Sequence, residues 1–271
     1  KAVALTDVIQ VVLLIFGGLF VTYKGLDLLS EGNGLFEGFM ILQSEFPEKF
    51  DAILSYAPKE VDPEAYANYI KLPGIWVLIG GMWIAHFYYW GTNQYITQRA
   101  LGGKSLDEAQ NGLMFAGFLK IFMPIVVVLP GLIAVALEAN ETINLAGDRS
   151  NAYPSMLNLL PEGIKGLTFA ALVAAIVSSL ASLSNSVSTI FTMDIYRKDQ
   201  DINDVSLVKI GRIAGFVGLV TSIIVAPIFL GSLDSAFQYV QEYMGLFSPV
   251  ILFVFLSAIF YPFKKYFLEK K

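Results

Sequence analysis

The sequence lacks cysteine and contains a single histidine, His86. Without cysteine there is no disulfide framework, no thiolate nucleophile and no thiolate metal site, and the redox compartment cannot be read. His86 has no second His, Asp or Glu one or two turns away, which disfavours it as a metal ligand. A glycine-rich phosphate loop is also missing. We therefore predict that the chain is not an enzyme.

Charge is scarce as well, with 15% Asp, Glu, Lys and Arg and a net charge of −5. This balance lacks the basic footprint of a nucleic-acid-binding protein. What is abundant is apolar surface, because 55% of the residues are hydrophobic and the mean hydropathy is +0.62. Such a composition is typical of an integral membrane protein, whose first partner is the lipid bilayer. The expected location is the inner (plasma) membrane.

Six apolar runs are long enough to cross a bilayer, which takes about 20 helical residues. The predicted spans are 6–29, 72–97, 112–137, 166–196, 207–230 and 235–261. Polar segments 30–71 and 138–165 separate some of them, and the first is expected to contain short amphipathic helices. The fold class is therefore all-α, with residues 1–271 forming a single transmembrane domain.

The distribution of Lys and Arg predicts the orientation of these spans. One side of the membrane receives eleven such residues and the other receives six, spread over longer loops. By the positive-inside rule both ends of the chain are cytoplasmic, and loops 30–71 and 138–165 are extracellular. Lys1 precedes an apolar run, but Asp7 occupies the place of a basic signal-peptide region and no small-residue cleavage site follows. We expect a fragment that begins at the start of a membrane helix.

The fourth span carries a column of small and hydroxylated side chains. At 100° per residue these lie within about 40–60° of one line. The column contains Ala175, Ser178, Ser179, Ser182, Ser186 and Thr189. Hydroxyl and carbonyl oxygens suit a hard cation such as sodium. Small residues at this spacing also let helices pack closely, so the residues alone leave both interpretations open.

Two further spans place polar groups inside the membrane. Lys120 lies between apolar residues in a helix bent by Pro124 and Pro130, and it either faces a polar cavity or extends to the interface. In the second span, glycines bracket a polar and aromatic patch, the pattern of an interrupted helix that lines a solute site. There His86 and Tyr89 share a face suited to ring stacking, although these aromatic residues would also suit a membrane interface.

The first and last spans also contain polar residues. Gln238 and Gln241 nearly share a face before Pro249, which bends the last helix. Glu242, next to Gln241, suits a position in the outer headgroup layer of the membrane. Asp7 either has a functional role or caps the first helix.

Taken together, these motifs resemble the sodium/solute symporter family, and most closely its bacterial sodium/galactose branch. The residues that carry the resemblance are Thr6-Asp-Val-Ile-Gln10, Tyr88-Tyr-Trp-Gly-Thr-Asn-Gln94 with Gln98-Arg99, Phe118-Leu-Lys120, Val177-Ser-Ser-Leu-Ala-Ser182 and Tyr239-Val-Gln241. The resemblance covers essentially the whole chain in order. It implies a LeuT-like core of two inverted repeats, here the last helix of the first repeat followed by the second repeat.

The resemblance also implies the ligands of the sodium ion. The family's sodium site matches the carbonyl of Ala175 and the hydroxyls of Ser178 and Ser179. Asp7 matches an aspartate near the sodium exit path. The remaining ligands belong to a core helix that precedes this chain.

For the solute, Lys120 and Gln241 match side chains that hydrogen-bond sugar hydroxyls, and Tyr89 matches the aromatic residue that stacks under the sugar as the inner gate. His86 stands where the galactose branch has Asn. The implied function is sodium-coupled symport of a galactose- or glucose-like sugar. Alternatives are symport of a carboxylate, amino acid or inositol, and solute sensing in a signalling protein. The oligomeric state is not predicted.

Overall fold

The structure is a computed structural model, which describes residues 2–51, 53–72, 74–197, 202–230 and 236–260. It is 83% helical, and the described residues contain no strand. The helices are α1 (Ala2–Leu29), α2 (Leu35–Glu45), α3 (Pro63–Lys71), α4 (Met82–Gly91), α5 (Gln94–Leu101), α6 (Leu106–Ala139), α7 (Ala152–Asn158), α8 (Glu162–Ile190), α9 (Asp204–Leu230) and α10 (Ala236–Phe260). The predicted all-α fold class is confirmed.

Five segments of these helices are long and apolar enough to cross a membrane: Val8–Leu29, Leu106–Ala139, Glu162–Tyr196, Asp204–Phe229 and Tyr239–Phe260. Two of these segments differ in detail from the predicted spans. Helix α6 begins at Leu106, six residues before the predicted span, because Ser105 and Glu108 cap it: the Glu108 amide donates to Ser105 Oγ at 3.2 Å. Helix α8 continues as a π-helix over Phe191–Tyr196.

The second predicted span, 72–97, is not one helix. A π-helix over Val77–Gly81 leads into α4, which stops at Gly91, and α5 starts again at Gln94. The hydroxyl of Thr92 donates to the carbonyl of Tyr88 at 2.8 Å, so it satisfies one of the last carbonyls of α4 where the helix ends. The interruption predicted from the glycines is therefore present.

The polar segments between the spans hold short helices, as expected for the first of them. Helices α2 and α3 and a 3₁₀ turn, Pro47–Phe50, lie in segment 30–71. Helix α3 has Asp62 as its N-cap, and the Ala65 amide donates to Asp62 Oδ1 at 2.9 Å. Segment 138–165 contains the 3₁₀ turn Arg149–Asn151 and α7.

Contacts divide the chain into two compact units, whose boundaries fall in segment 30–71, within α6 and within α8. Unit 1 comprises Lys1–Ala52 and Gln110–Ser182, and unit 2 comprises Ile53–Ala109 and Leu183–Lys271. The core of unit 1 is apolar and joins α1, α2, α6 and α7. Its fully buried members include Val21, Leu26, Leu42, Ile133, Leu137 and Met156. This core anchors the amphipathic segment α2 to the end of the first membrane helix.

In unit 1, helices pack closely against α1 because glycines of α1 face the neighbouring helices. A Cβ added at Gly17 would lie 2.6 Å from a methyl carbon of Thr168, and one added at Gly18 would lie 2.3 Å from Val126 Cγ1. Helices can approach this closely only where side chains are small. Gly17 therefore allows α8, and Gly18 allows α6, to pack closely against α1.

One side-chain hydrogen bond joins α1 to α6 inside this contact. The hydroxyl of Thr22, a buried residue, lies 2.9 Å from the carbonyl oxygen of Ile125 and 3.0 Å from that of Gly18. We expect Thr22→Val to destabilise the full-length protein by about 0.5–1 kcal/mol, since the shape is kept and the bond between helices is lost. Thermal unfolding in detergent measures this. Thr22→Ser keeps the hydroxyl and serves as the control; an equal loss of stability in both variants would contradict the role of the bond.

Unit 2 contains two contacts between helices that carry candidate site residues or their neighbours. Helix α4 packs against α10, and α9 packs against the end of α8 and its π-helical continuation. Glycines on α9 make the second contact close. A Cβ added at Gly211 would lie 2.7 Å from Ser188 Oγ, and one at Gly215 would lie 2.9 Å from Ser184 Oγ. Gly211 and Gly215 are four apart, which is the spacing of closely packed membrane helices.

Candidate functional site

The three predicted sodium ligands lie on α8, within unit 1. Ala175 and Ser178 are half-buried and Ser179 is exposed. Their spacing of three and four places them on one face of an unbroken helix. The Ala175 carbonyl has a second lone pair besides the one used in the helix, and each hydroxyl oxygen is an acceptor. These oxygens fit a hard cation, but one helix can supply only part of the shell that such an ion requires.

The rest of the hydroxyl column divides into different environments. Ser182 and Ser186 are buried. The Thr189 hydroxyl donates to the carbonyl of Asn185 at 2.8 Å, a bond within the helix. Ser186 Oγ and Thr192 Oγ1 are buried and have no hydrogen-bond partner. In the lower part of the column, Ser182 and Ser186 are thus buried, whereas Thr189 is only partly buried.

Ser184 and Ser188 of α8 are not among the residues of the hydroxyl column predicted from the sequence. The structure places Ser184 and Ser188 against the glycine face of α9, where small side chains permit close approach. The signal for this was present in the sequence as Gly211, Gly215 and Gly218, spaced by four and three. Small residues on α8 therefore serve packing on one side, while the predicted ion ligands lie on another.

The solute residues His86 and Tyr89 are carried by α4, just before the helix break. His86 is exposed and Tyr89 is half-buried. The ring of Tyr89 meets the ring of Trp90 edge-on, with centroids 5.1 Å apart at 83°, and the ring of Tyr95 at 6.3 Å and 76°. Its hydroxyl shares a hydrogen bond of 2.5 Å with the hydroxyl of Tyr95. Tyr95 was not identified from the sequence, because only the break in the helix brings it back to Tyr89.

Gln241 lies on α10, which packs against α4 in unit 2. Gln241 and Glu242 are exposed. The rings of Tyr239 and Tyr243 contact each other at a tilt of 47°, with centroids 4.5 Å apart, and a helical turn of 100° per residue puts them on the side of α10 opposite Gln241. The structure thus brings together the helices of His86, Tyr89 and Gln241.

Besides the three residues on α8, two further predicted residues belong to unit 1. Lys120 lies in the middle of α6 and its side chain is exposed. Asp7 lies in α1, and its side chain falls outside the described part of the structure. The side chain of Gln238 is likewise outside it.

Unit 2 also contains an apolar cavity of about 420 Å³. It is lined by Tyr88 of α4, by Ser222, Val225, Ala226 and Phe229 of α9, and by Tyr239, Val240, Tyr243, Met244 and Phe247 of α10. None of the predicted solute residues lines it. Its α10 wall is the Tyr239–Tyr243 side, which faces away from Gln241.

Five helices that are long and apolar enough to cross a membrane, together with an interrupted helix that carries a polar and aromatic patch, define a multi-pass membrane protein. The family model for the sodium:solute symporter family matches residues 1–265. The chain belongs to that family, which confirms the resemblance. For a bacterial transporter this class implies the inner membrane.

Individual relatives of the chain are named as cotransporters or symporters. The chain is 46% identical over 275 residues to a sodium/glucose cotransporter of Vibrio parahaemolyticus, covering 96% of this chain and 49% of that protein. It is 32% identical to the uncharacterized symporter YidK of Escherichia coli (strain K12), over 97% of this chain and 43% of the relative. It is 31% identical to sodium/myo-inositol cotransporter 2 of Mus musculus, over 96% and 41%. The chain thus spans just under half the length of these relatives.

Proposed function

We propose that the protein containing this chain is a sodium-coupled symporter of a galactose- or glucose-like sugar. The observation that carries the proposal is the 46% identity, over almost the whole chain, to a relative named as a sodium/glucose cotransporter. The oxygen face of Ala175, Ser178 and Ser179 on α8 supports sodium as the coupling ion, because hydroxyl and carbonyl oxygens are the ligands of hard cations.

Sodium would act through α8. Bound between the Ser178–Ser179 pair and ligands outside this chain, the ion would hold α8 against the helix that carries those ligands. This contact would favour the outward-open form that takes up the solute. Two ligands that stabilise the same state raise each other's affinity. Loss of sodium to the cytoplasm would then lower the affinity for the solute and allow its release.

The solute would be held by an aromatic face and hydrogen-bonding groups at its edge. Tyr89 offers the ring that stacks under the sugar, and the exposed side chains of His86 and Gln241 lie on helices packed against each other. Lys120 would be the cationic hydrogen-bond donor among the proposed solute-binding residues. Asp7 would serve the path by which sodium leaves.

A cyclic polyol is the second candidate solute. Several relatives are named as sodium/myo-inositol cotransporters, and His86 departs from the Asn of the galactose branch. Inositol presents a ring of hydroxyls much as a hexose does, so the same aromatic and polar groups would recognise either. A carboxylate or amino acid paired with Lys120, and a solute-sensing role, are weaker alternatives because no relative named here points to them.

Uptake by the full-length protein in proteoliposomes tests the proposal. We expect an inward NaCl gradient to drive accumulation of radiolabelled D-glucose or D-galactose, and an equal gradient of choline chloride to drive none. Unlabelled sugars and myo-inositol are added in turn as competitors, which ranks the solutes. Uptake that is independent of sodium, or competition by amino acids and carboxylates instead of sugars, would contradict the proposal. A sodium ionophore that abolishes accumulation is the control for coupling.

A further inference from the structure

A chain of hydrogen bonds runs from Tyr89 to α8 within unit 2. The Tyr89 hydroxyl bonds the Tyr95 hydroxyl at 2.5 Å, and Gln98 Nε2 donates to the carbonyl of Tyr95 at 3.3 Å. Gln98 Oε1 in turn accepts from Asn185 Nδ2 at 3.3 Å, across 87 residues of sequence. We name these four residues, Tyr89, Tyr95, Gln98 and Asn185, the tyrosine relay. It joins α4, α5 and α8.

The relay depends on the broken helix. In a continuous helix, residues six apart are separated by about 240° around the axis and about 9 Å along it, so their hydroxyls do not meet. Because α4 ends at Gly91 and α5 begins at Gln94, Tyr95 returns to the ring of Tyr89. The Gln98 side chain is then left beside α8.

The relay restrains the orientation of Tyr89. Its ring has edge contacts with Trp90 and Tyr95, and its hydroxyl is held by Tyr95. Without that partner the hydroxyl would no longer be tied to α5, and the ring of Tyr89 would have more freedom to turn. The last member, Asn185, lies six residues after Ser179 on the same unbroken helix.

We propose that Tyr95 is a positioning residue that holds the Tyr89 ring under the solute, and that the Gln98–Asn185 hydrogen bond attaches this ring to the sodium-binding helix. The inference rests on the proposed function and adds three residues to it. When α8 moves on loss of sodium, the relay loosens and Tyr89 is released. The relay thus links Tyr89 on α4 to the C-terminal part of the helix that carries the proposed sodium ligands.

Tyr95→Phe in the full-length protein tests the first half of the proposal. The variant keeps the ring and loses only the bond to Tyr89, so we expect the KM for sodium-driven D-glucose uptake to rise about two- to tenfold while kcat is unchanged or higher. A merely structural role would lower kcat by reducing the active fraction and leave KM unchanged. Tyr88→Phe, which removes a neighbouring hydroxyl outside the relay, is the control. An unchanged KM in Tyr95→Phe would overturn this half.

A double-mutant cycle on Gln98 and Asn185 tests the attachment to α8 without any solute. NaCl, compared with choline chloride, is titrated against thermal unfolding of the full-length protein. We expect Gln98→Ala and Asn185→Ala each to raise the NaCl midpoint about two- to fivefold, and the double variant to raise it no further. Additive effects, or unchanged midpoints, would overturn the attachment.

The two readouts separate this inference from the proposed function. Sodium protection with a non-additive cycle, but no sugar uptake by the unmodified protein, would reject the sugar and retain the attachment. Sodium-driven sugar uptake with a normal KM in Tyr95→Phe would reject the positioning role and retain the symporter.

Discussion

Ser179→Ala is expected to raise the sodium concentration for half-maximal uptake by about ten- to a hundredfold, with much less effect on uptake at saturating sodium. The physical reason is the loss of one oxygen from a cation's shell, for which roughly 1.5–3 kcal/mol is the typical contribution of a polar contact to a charge. Ser179 is exposed on α8, so removing its hydroxyl leaves no buried cavity. The measurement is the sodium dependence of solute uptake by the full-length protein.

Two further substitutions make this prediction specific. Ser184→Ala removes a hydroxyl from the same helix, but on the side that packs against Gly215, so the sodium dependence should not change. Ser179→Thr keeps a hydroxyl oxygen and should recover much of the affinity. Equal losses in Ser179→Ala and Ser184→Ala would show that α8 had been disturbed as a whole, and an unaltered sodium dependence in Ser179→Ala would remove this residue from the sodium site.

Gly38→Ala is expected to destabilise the protein by about 3 kcal/mol, near the upper end of ordinary overpacking. Gly38 is buried in α2, and a Cβ at this position would lie 2.0 Å from the carbonyl oxygen of Leu26 and 2.9 Å from its Cα. These atoms are backbone, so no side-chain rotation relieves the clash. Helix α2 must move away from α1, which would uncover Leu26 and Leu42, each 1% exposed.

Thermal unfolding of the full-length protein in detergent measures this change. Gly163→Ala is the matched control, since Gly163 also lies in a helix of unit 1 and a Cβ there has no heavy atom within 4 Å. That variant should be neutral or stabilised by about 0.5–1 kcal/mol, because alanine has less freedom to lose than glycine. Similar stabilities for the two variants would mean that α2 does not rest on Leu26 in the folded protein.

The apolar runs predicted most of the architecture because hydropathy is a property of one segment at a time. The runs at 6–29, 112–137 and 207–230 each fall within a helix of the structure, and the run at 166–196 covers α8 and its π-helical continuation. The start of α6 at Leu106 was missed, since the polar residues of its first turn hide the helix from a hydropathy scan although Ser105 and Glu108 are a recognisable cap. The break in the second span was predicted from its glycines. Its position after Gly91 depends on local backbone bonds such as that of Thr92.

The residues of the candidate site were predicted from residue type and from the resemblance. The hydrogen bonds and ring contacts that join them to their neighbours were not predicted. Ser178, Ser179, Tyr89 and Gln241 carry recognisable chemistry in recognisable motifs. The partners of Tyr89 are Tyr95 and Trp90, and the relay continues to Asn185, which no sequence pattern links to Gln98. Proximity across 87 residues is a tertiary property, because it depends on where the broken helix turns.

The sequence by itself determined that this is a multi-pass membrane protein of the sodium:solute symporter family, because composition, helical period and motif order are encoded locally. Only the tertiary structure decided which face of each helix is used for packing and which is left exposed. On α8, Ser184 and Ser188 face the glycines of α9, whereas Ser179 remains exposed. Similar serines thus acquire different surroundings, because the contact of two helices depends on the shapes of both and neither helix specifies it alone.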